Sequence, residues 1–379
     1  MSRTTFLIFF TAFVLSASIF STELRVPQDY LDLQSALTAS ADSDHIVLDT
    51  GTFSGPGFSS LLVPMSKNLH IRSVAGANYT KIIRSSGGTF LTCDNQSGTG
   101  RKVRIEGIAI QGFNRAVVFR SYTGAEIFNC IFRFNNAALS DSGADSPYWA
   151  TIDSCLFDQN GVGVQTNGWT WLTLHRSQFI NGGTGVYWVC IEIGELSNCS
   201  FRNNLTAIVL KNPCSTIERN DISQNWIGVA CDGYHMSQLD LAQHFKGNNV
   251  WGNFDADYWN CDPVTGVACN ISRNPAYCSS DPLETQVSSI SPLLTLNNPC
   301  GVPIGYFEGI ACYCGDVDVS GNVDIGDISA IISFLYLSGP APTPPAAGEI
   351  DGISPIDIAD LSRLIDYLYI SFQPLPCGT

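Results

Sequence analysis

A stretch near the C-terminal end of the chain carries oxygen-bearing side chains at the spacing of a calcium-binding loop. Side chains with an oxygen occupy loop positions 1, 3, 5, 9 and 12, and position 7 can offer its backbone carbonyl. These residues are Asp316, Asp318, Ser320, Asp324, Asp327 and, at position 7, Asn322. Gly321 stands at position 6, where such a loop turns sharply. Ca²⁺ takes six to eight oxygen ligands in proteins, so the loop predicts a calcium site.

A second copy of this loop begins 33 residues later and is less complete. Its candidate ligands are Glu349, Asp351, Asp357 and Asp360. Ile353 stands at position 5, where a ligand is expected, and Ser354 replaces the glycine of the turn. The sequence therefore leaves open whether the second loop binds calcium. Aliphatic residues at helical spacing follow both loops, which predicts a helix after each and argues against plain acidic surface loops.

Charged residues in the middle of the chain form a second candidate site, of a catalytic kind. Asp153 and His175 stand at the same position of neighbouring repeats, and so do Arg133 and Asp158. A neighbouring carboxylate and imidazole can act as an acid–base pair. A lyase needs a base and a cation, and a glycosidase needs two carboxylates. These four residues are therefore candidate catalytic residues, and the alternative is a solvated face whose charges pair between strands.

Tryptophans form a third candidate site. Trp149, Trp169, Trp171 and Trp188 fall in successive repeats, and Trp149 and Trp171 hold equivalent positions. Flat aromatic rings suit the apolar faces of sugars. These four residues are therefore candidate carbohydrate-binding residues. The alternative is a stack of aromatic side chains that covers the wall of the protein.

The elements that must position these residues are repeats of about 22 residues. Seven repeats align, at separations of 21 to 28 residues. Their anchor residues are Ile108, Cys130, Cys155, Ser177, Cys199, Asn220 and Asn248. The positions three before and two after each anchor are apolar, and in six repeats Ala or Gly stands eight residues after it, followed by an aliphatic residue. Five repeats have Asn five residues after the anchor, which predicts a left-handed corner at that residue. These are Asn135, Asn160, Asn204, Asn225 and Asn253.

Such repeats predict a parallel β-helix. Short β-rich units with Asn and Gly corners can stack one per turn and bury an apolar column that no unit could bury alone. Leucine-rich repeats have a similar length, but their leucine pattern is absent. Because side chains alternate along a strand, the position two residues before each anchor, which includes Asp153 and His175, is expected to face solvent. Residues 30–38 predict a short amphipathic helix that caps the first turn, and a Cys-rich C-terminal cap is expected up to residue 311.

The cysteines are predicted to be of two kinds, free buried thiols and disulfide-bonded residues. Cys130 and Cys155 fall in one inward column, where we expect free buried thiols because parallel side chains disfavour the dihedral angle of a disulfide. Cys199 lies two turns beyond Cys155, too far to bridge. Disulfides are expected in the irregular C-terminal part instead. The candidates are Cys261, Cys269, Cys278 and Cys300, together with a clasp between Cys314 and Cys377.

The start of the chain and its composition predict an exported protein. Arg3, an apolar run at 6–14 and small residues up to Ser21 form the pattern of a signal peptide over residues 1–21. The 379 residues include 34 Asp and Glu against 19 Lys and Arg, and this net charge of −15 disfavours nucleic acid and anionic membranes. No later stretch stays apolar over the ~18 residues of a membrane span. With 45% hydrophobic residues the chain can bury a large core, which excludes disorder.

Residues 24–310 resemble the secreted bacterial right-handed parallel β-helix proteins of the pectin-lyase-like superfamily. The resemblance rests on the motif Val-Pro-Gln-Asp-Tyr at 26–30, the turn Gly-Thr-Phe-Ser-Gly at 51–55 and the repeats. It implies the fold, and a superfamily of pectate lyases, polygalacturonases, other polysaccharide lyases and members without assigned chemistry. The sequence motifs of polygalacturonases and pectate lyases are absent from this chain.

Residues 312–379 resemble a type I dockerin, the module that docks secreted enzymes onto cohesin domains of a scaffold. The resemblance implies Ca²⁺ and a cohesin-like partner. Dockerins often carry a Ser/Thr pair at loop positions 10 and 11 for cohesin contact, but this chain has Ile325-Gly326 and Ile358-Ala359 there. The expected domains are a signal peptide at 1–21, a β-helix at 22–311 and a dockerin-like domain at 312–379.

Two functions fit these observations. The first is an exported β-helix protein that binds or processes a polysaccharide, as a lyase or a glycoside hydrolase if it is an enzyme, and that is tethered by its calcium-binding module. The alternative is a non-catalytic binding or structural rod of the cell surface or matrix. The missing catalytic motifs favour the rod, and the dockerin-like module favours the first function. We expect a secreted or surface-bound monomer whose partners are a polysaccharide and a cohesin-like scaffold, without nucleic acid or a membrane span in the mature chain.

Overall fold

A computed structural model describes residues 21–375 apart from several short segments. These segments are residues 64–66, 86, 95–101, 121–122, 142–147, 167–169, 190–193, 212–214, 234, 279–280, 289–290, 308, 313, 319, 321, 343–344, 352, 354 and 374. The predicted signal peptide, except for its last residue, lies outside the described residues, as do Trp169 and Cys377.

Three parallel sheets wind around one core, so the predicted parallel β-helix is confirmed. Over the described residues, sheet A has ten strands and sheets B and C have nine each, and neighbouring strands of a sheet come from successive turns of roughly 22 residues. The strands of sheet A are Glu23–Val26, His45–Leu48, Leu69–Ser73, Lys102–Glu106, Gly124–Phe128, Tyr148–Asp153, Thr170–His175, Glu195–Ser197, Thr216–Glu218 and Phe245–Lys246. Those of sheet B are Gly51–Phe53, Thr80–Ile83, Ala109–Gln111, Ile131–Arg133, Leu156–Asp158, Gln178–Ile180, Ser200–Arg202, Asp221–Ser223 and Asn249–Trp251. Those of sheet C are Leu61–Val63, Thr89–Cys93, Arg115–Phe119, Ala137–Asp141, Val162–Thr166, Thr184–Val189, Thr206–Lys211, Ile227–Cys231 and Ala256–Trp259.

The strand register reproduces the apolar columns of the repeats. The inward column of sheet B contains four phenylalanines in successive turns, and neighbouring ring centroids lie 4.5–5.1 Å apart. They are Phe132, Phe157, Phe179 and Phe201. A Cβ atom at Gly163 would lie 2.7 Å from Phe179 Cδ1. The column of Ala and Gly therefore exists because the stacked rings leave no room for a larger side chain.

The corner between sheets B and C corrects one prediction. The left-handed backbone falls one residue before the repeated Asn, as at Phe134 (φ 55°) and Gln159 (φ 54°). Asn135 and Asn160 are buried, and the Asn135 side-chain amide donates to Ile110 O and to Asn160 Oδ1, both at 3.0 Å. The repeated Asn side chains therefore form a buried ladder, and they supply hydrogen-bond partners to inward-facing backbone groups at a sharp corner.

A second amide ladder lies at the corner between sheets A and B. Cys199 N donates to Asn220 Oδ1, Asn220 N to Asn248 Oδ1, and Asn248 N to Asn270 Oδ1, each at 2.9 Å. This ladder occupies the anchor column near its C-terminal end, where polar residues replace the thiols.

Two short helices pack on the β-helix. Helix α1 spans Leu33–Ala39, and its N-terminus is capped by Asp32, so it begins three residues later than predicted. Leu33 and Leu37 are buried in the main core, in accordance with the predicted capping role. Helix α2, Gln238–His244, was not predicted. It lies within the longest repeat, where the anchors are 28 residues apart.

An irregular segment follows the last turn and packs along sheet B. It contains a two-stranded pairing of Val287–Ser288 with Ile310–Cys312 and a 3₁₀ turn at Thr295–Asn297. Another 3₁₀ turn, Pro56–Phe58, lies outside this segment, near the first turn of the β-helix. The buried apolar side chains of the irregular segment form a small separate core. These are Ile271, Val287, Leu293 and Ile304.

The C-terminal part contains helices α3 (Ile325–Tyr336), α4 (Pro345–Gly348) and α5 (Ile358–Tyr369). Helices α3 and α5 are present, as the helical spacing predicted, but they begin at position 10 of the two acidic loops and so include the last three loop residues. They share a core of their own. Its buried members are Cys314, Val317, Ile328, Ile331, Ile350, Leu361 and Leu364. In the described ranges, no helix has the length and apolar character needed to cross a membrane.

The cysteines follow the prediction in the β-helix and follow it only in part afterwards. Cys130, Cys155 and Cys199 are buried free thiols, as expected. Cys261, Cys269 and Cys300 are also free, contrary to the predicted disulfides. Cys261 lies in the main core, and the Cys300 thiol donates to the Cys269 carbonyl oxygen at 3.0 Å. Cys278 and Cys314 each take part in a disulfide, as predicted, and Cys377, the predicted partner of Cys314, lies outside the described residues.

Candidate functional site

Asp153 and His175 lie side by side in sheet A, at the register that the repeats predicted. Asp153 is only 8% exposed, however, so the prediction that it faces open solvent is wrong. The Arg176 side chain covers it and donates to both carboxylate oxygens, and Ser154 Oγ donates to Oδ1 at 3.0 Å. Burial alone would raise the pKa of Asp153, but the hydrogen bonds from Arg176 and Ser154 outweigh it and lower that pKa. Asp153 is thus an ion-paired carboxylate.

The imidazole of His175 points to the next turn. Its Nδ1 lies 2.5 Å from Ser197 Oγ, and Ser197 Oγ donates to Glu195 Oε1 at 2.9 Å. His175, Ser197 and Glu195 therefore form a hydrogen-bonded row along the outer face of sheet A. The row links His175 to a second carboxylate through a hydroxyl.

Arg133 and Asp158 pair with each other on sheet B. Arg133 Nε lies 2.9 Å from Asp158 Oδ2, and the Asn181 side-chain amide donates to Asp158 Oδ1 at 3.2 Å. Asp158 is 4% exposed. The left-handed corner at Ser154 separates this pair from Asp153, so the structure places the four predicted catalytic residues in two groups on different sheets, Asp153 and His175 on sheet A and Arg133 and Asp158 on sheet B.

The tryptophans divide into an outer pair and a buried residue. Trp149 and Trp171 stack on the outside of sheet A with ring centroids 5.3 Å apart and planes 12° from parallel, and Trp149 is 42% exposed. Trp188 is 2% exposed and lies in the main core, so it cannot meet a sugar. The strand alternation explains this, because Trp188 faces the same way as the inward Val186.

A groove of about 350 Å³ runs beside the Asp153 group, along the corner between sheets A and B. Ser154 and Arg176 line it, together with Leu283 and Tyr306 of the irregular segment. Arg176 and the residues of the corner line this groove.

A buried polar cluster beneath the irregular segment was not predicted. The guanidinium of Arg202 lies 3.9 Å from the ring centroid of Tyr277, and the Tyr277 hydroxyl donates to Asp221 Oδ2 at 2.9 Å. Ser223 and Asn249 also donate to Asp221. Burial raises the pKa of Asp221 and, together with the Asp221 carboxylate, raises that of Tyr277. The cluster holds the irregular segment against sheet B. It was not predicted because, in the repeats, its polar residues resemble ordinary solvent-facing residues.

The first acidic loop brings three of its predicted ligands together. Oxygen atoms of Asp316, Asp318 and Asp327 lie within 4.8 Å of one another. Asp327 is fully buried and accepts backbone N–H groups from Val317 (2.5 Å), Asp318 (3.1 Å) and Asp324 (2.7 Å). Burial raises the pKa of Asp327, although these hydrogen bonds oppose the rise. The loop is therefore wrapped around the carboxylate of position 12.

The second acidic loop has the same geometry despite its less complete sequence. Carboxylate oxygens of Glu349, Asp351 and Asp360 also lie within 4.8 Å of one another. Asp360 accepts N–H groups from Ile350 (2.6 Å), Asp351 (2.9 Å) and Asp357 (2.8 Å), in the pattern of Asp327. Asp324 and Asp357, at position 9, accept the N–H two residues later and cap helices α3 and α5. Three carboxylates at such distances repel each other unless a cation or protons neutralise them.

Residues 73–264, just over half of the chain, match the family described as periplasmic copper-binding protein (NosD). The chain belongs to the NosD family. The matched residues contain most of the β-helix, so the family assignment and the sheet topology agree. NosD is a periplasmic family, which is consistent with an exported protein. No curated protein matches the chain significantly.

The name of the NosD family raises the question of copper. Proteins hold copper mainly with imidazole, thiolate and thioether groups. Among the described His, Cys, Asp and Glu residues, the two acidic loops are the only places where three such groups converge. Within the matched residues, burial raises the pKa of the Cys155 and Cys199 thiols, whereas a hydrogen bond with Cys261 lowers the pKa of Cys231. The all-oxygen sets of the two loops fit a hard cation better than copper.

Proposed function

We propose that this NosD-family protein binds a polysaccharide on the outside of its β-helix without cleaving it. The stacked pair of Trp149 and Trp171 carries the proposal. Its rings lie on a continuous sheet in successive turns, and the exposed outer surface of the stack offers an aromatic surface on which the apolar face of a sugar ring can pack. A binding surface held by strands of a continuous sheet needs little reorganisation when the ligand arrives.

The charged residues support binding over catalysis. Asp153 and Asp158 are each paired with an arginine and buried to more than 90%, so neither has a free carboxylate at the surface for proton transfer. A retaining or inverting glycosidase also needs two facing carboxylates, whereas these two lie on different sheets. The alternative, a lyase or hydrolase that uses Asp153 and His175, requires Arg176 to leave Asp153 when the substrate binds.

One experiment tests binding and catalysis together. Full-length wild-type protein is applied to a panel of neutral and acidic polysaccharides, and the same mixtures are assayed for new reducing ends and unsaturated products. We expect binding without products. Trp149→Ala and Trp171→Ala should weaken binding by about tenfold each, and Trp259→Ala is the matched control because Trp259 is 51% exposed at the far end of sheet C. Product formation that disappears in Asp153→Asn would establish the enzyme instead.

We further propose that both acidic loops bind Ca²⁺ and that residues 312–379 form a dockerin-like tether. Supporting observations are the two sets of three converging carboxylates, their equal hydrogen-bond patterns and the helix that follows each loop. Ile325 and Ile358, at the loop positions that contact cohesin in dockerins, are 65% and 55% exposed. These two isoleucines fit an apolar contact surface on a scaffold protein better than a surface that recognises a Ser/Thr pair.

The calcium proposal has its own test. Titration of full-length protein with Ca²⁺ by calorimetry should give two sites, and Asp316→Asn and Asp351→Asn should each remove one of them. Mg²⁺ is the comparison ion, since it demands a tighter octahedral shell and should bind more weakly. A single site that survives in Asp351→Asn would restrict calcium to the first loop.

A further inference from the structure

Three pairs of cysteines bring their thiols into hydrogen-bonding contact. They are Cys130 with Cys155, Cys231 with Cys261, and Cys269 with Cys300. The first two pairs lie buried in the main core, where a reagent in solution cannot reach the sulfur atoms. The third pair differs, because Cys269 is exposed and Cys300 is partly exposed. Among the described thiol pairs, this is therefore the one that solution chemistry can reach.

The turn that carries Cys269 is fixed to the last turn of the β-helix. Val250 N donates to Ile271 O at 3.0 Å, which continues the stack of sheet B by one strand-like segment. Just before Cys269, the carbonyl oxygen of Ala268 accepts from Gly247 N at 2.9 Å. The backbone on both sides of Cys269 is thus held in place by the β-helix.

Cys300 belongs to the irregular segment and lies against the same turn. Its thiol donates to Cys269 O at 3.0 Å, and a Cβ atom at Gly247 would lie 3.5 Å from its sulfur. Its backbone N–H donates to Asn298 Oδ1 at 3.0 Å, and the Asn298 side-chain amide donates to Val302 O at 2.9 Å. Both cysteines therefore have fixed backbones and thiols that already touch.

A bond between the two sulfur atoms would enclose residues 270–299, which form most of the irregular segment. This loop contains Tyr277, whose ring and hydroxyl contact Arg202 and Asp221 of sheet B. It also contains three of the four buried apolar residues of the segment's small core. A cross-link removes conformational freedom from the unfolded loop, so it would strengthen the attachment of the segment to the β-helix.

The structure and the family assignment both point to an environment in which thiols are oxidised. Cys278, in the same irregular segment, takes part in a disulfide. NosD is a periplasmic family, and disulfides form and persist in the periplasm. A chain exported there meets disulfides with which accessible thiols can exchange.

We propose that Cys269 and Cys300 form a redox modification site, which thiol–disulfide exchange converts reversibly between two thiols and one disulfide. The oxidant is a molecule that carries a disulfide, and the reductant is a thiol. In the oxidised form the bond fastens the irregular segment to the last turn of the β-helix, and in the reduced form the segment is held by its other contacts. This site is independent of the polysaccharide and calcium sites proposed above.

The exchange takes two steps. First, Cys269 loses its proton and its sulfur attacks one sulfur of the oxidant, which forms a mixed disulfide and releases one thiolate. Second, Cys300 loses its proton and attacks the Cys269 sulfur, which forms the internal bond and releases the second thiolate. The two cysteines lose two electrons and two protons, and the oxidant is reduced to two thiols. Cys269 reacts first because it is exposed, and because burial and the Cys269 thiol raise the pKa of Cys300.

The test places the full-length protein in glutathione buffers of rising disulfide fraction, quenches it in acid and identifies the state of each cysteine by peptide mass spectrometry. We expect a peptide that joins Cys269 to Cys300 to appear as the disulfide fraction rises and to disappear as it falls. Cys130 and Cys155, the buried control pair, should stay thiols throughout. In Cys300→Ser, Cys269 should stop at the mixed disulfide with glutathione, because the second attack is missing. In Cys269→Ser, Cys300 should be modified about tenfold more slowly or not at all.

The melting temperature tests the effect of the bond. Oxidised wild type should melt roughly 5 °C above reduced wild type, whereas the double variant Cys269→Ser, Cys300→Ser should lose this difference. Any effect of the buffers on the disulfides of Cys278 and Cys314 occurs in both proteins and cancels in the comparison.

Two outcomes would overturn the proposal. If glutathione attaches to Cys269 of the wild type without a peptide that joins Cys269 to Cys300, the two sulfur atoms do not reach each other. If the joined peptide persists in the most reducing buffer, the bond is a permanent part of the fold and not a reversible modification.

Discussion

The guanidinium of Arg176 binds the carboxylate of Asp153, which lies one turn away in the β-helix. The strand register pairs Asp153 with His175, the residue just before Arg176. The left-handed backbone at Arg176 (φ 43°) turns the chain at the corner next to Asp153. An arginine at a corner position thereby neutralises a carboxylate that the sheet pattern alone would leave beside a histidine.

This ion pair predicts a pH dependence of stability. The pKa of Asp153 is lowered in the folded protein, so the pair stabilises the fold at pH values above the ordinary Asp pKa of about 3.9, and this contribution is lost as the pH falls through the lowered value. Arg176→Gln should therefore reduce the free energy of unfolding at pH 7 and have a smaller effect at pH 3. Urea denaturation across this range measures it.

A surface pair provides the control for that measurement. Lys102 pairs with Glu126, but its side chain is 63% exposed, so Lys102→Gln should change stability by at most about 1 kcal/mol at any pH. An Arg176→Gln effect that is equally large at pH 3 and pH 7 would show that Arg176 stabilises by packing alone.

The asparagine ladder predicts a strong contrast between neighbouring asparagines. Asn225 is 1% exposed; its side-chain amide donates to Phe201 O at 2.9 Å, and its Oδ1 accepts from Asn204 N at 3.0 Å. Asn225→Ala leaves buried backbone groups without partners and should cost about 1–3 kcal/mol for each of them. Asn136→Ala, at the exposed position next to the ladder residue Asn135, should stay within about 0.5 kcal/mol. Equal losses in the two variants would mean that the ladder is not what stabilises the corner.

The repeats made the fold predictable, but only the structure shows the backbone conformation at the corner between sheets B and C. The period and the apolar columns define strands and their register, because only one register keeps every apolar side chain inside. They do not show which of two adjacent residues takes the positive φ. At this corner it is Phe134 or Gln159, residue types that rarely adopt it, because the following Asn is needed inside for hydrogen bonds.

The candidate site was predictable in part for the same reason. Alternation places Asp153 beside His175 and Trp149 beside Trp171, and the register confirms both neighbours. It does not show how far the Arg176 side chain reaches. The cluster of Arg202 and its partners forms only because an aperiodic segment folds back over sheet B, and no repeat pattern reports such a contact.

The thiols of the anchor column are predicted to be inert in the folded protein. Burial, together with its neighbour Cys130, raises the pKa of Cys155, and burial also raises that of Cys199. Iodoacetamide requires an accessible thiolate, so Cys155 and Cys199 should be alkylated only after denaturation, whereas the exposed Cys269 should react in the native state. Peptide mass spectrometry resolves the sites. Alkylation of Cys155 as fast as that of Cys269 would contradict the assigned inward column.

Calcium removal should unfold the C-terminal helices and leave the β-helix intact. The core shared by α3 and α5 is small, and each loop holds three carboxylates that repel one another without a cation. A bound cation stabilises the folded state by about 2.7 kcal/mol when its free concentration is a hundred times Kd. All seven tryptophans lie at or before position 259, so tryptophan fluorescence follows the β-helix, while far-UV circular dichroism follows the helices.

We therefore expect a chelator to lower the melting temperature seen by circular dichroism and not the one seen by fluorescence. Asp316→Asn should abolish most of this calcium-dependent shift. It is a sharper variant than Asp327→Ala, because Asp327 also accepts three backbone N–H groups and its loss would damage the loop with or without calcium. Asp255→Asn, which removes one exposed charge from the end of the β-helix, is the matched control and should keep the full shift. Identical melting curves with calcium and with chelator would show that the acidic loops do not depend on a cation.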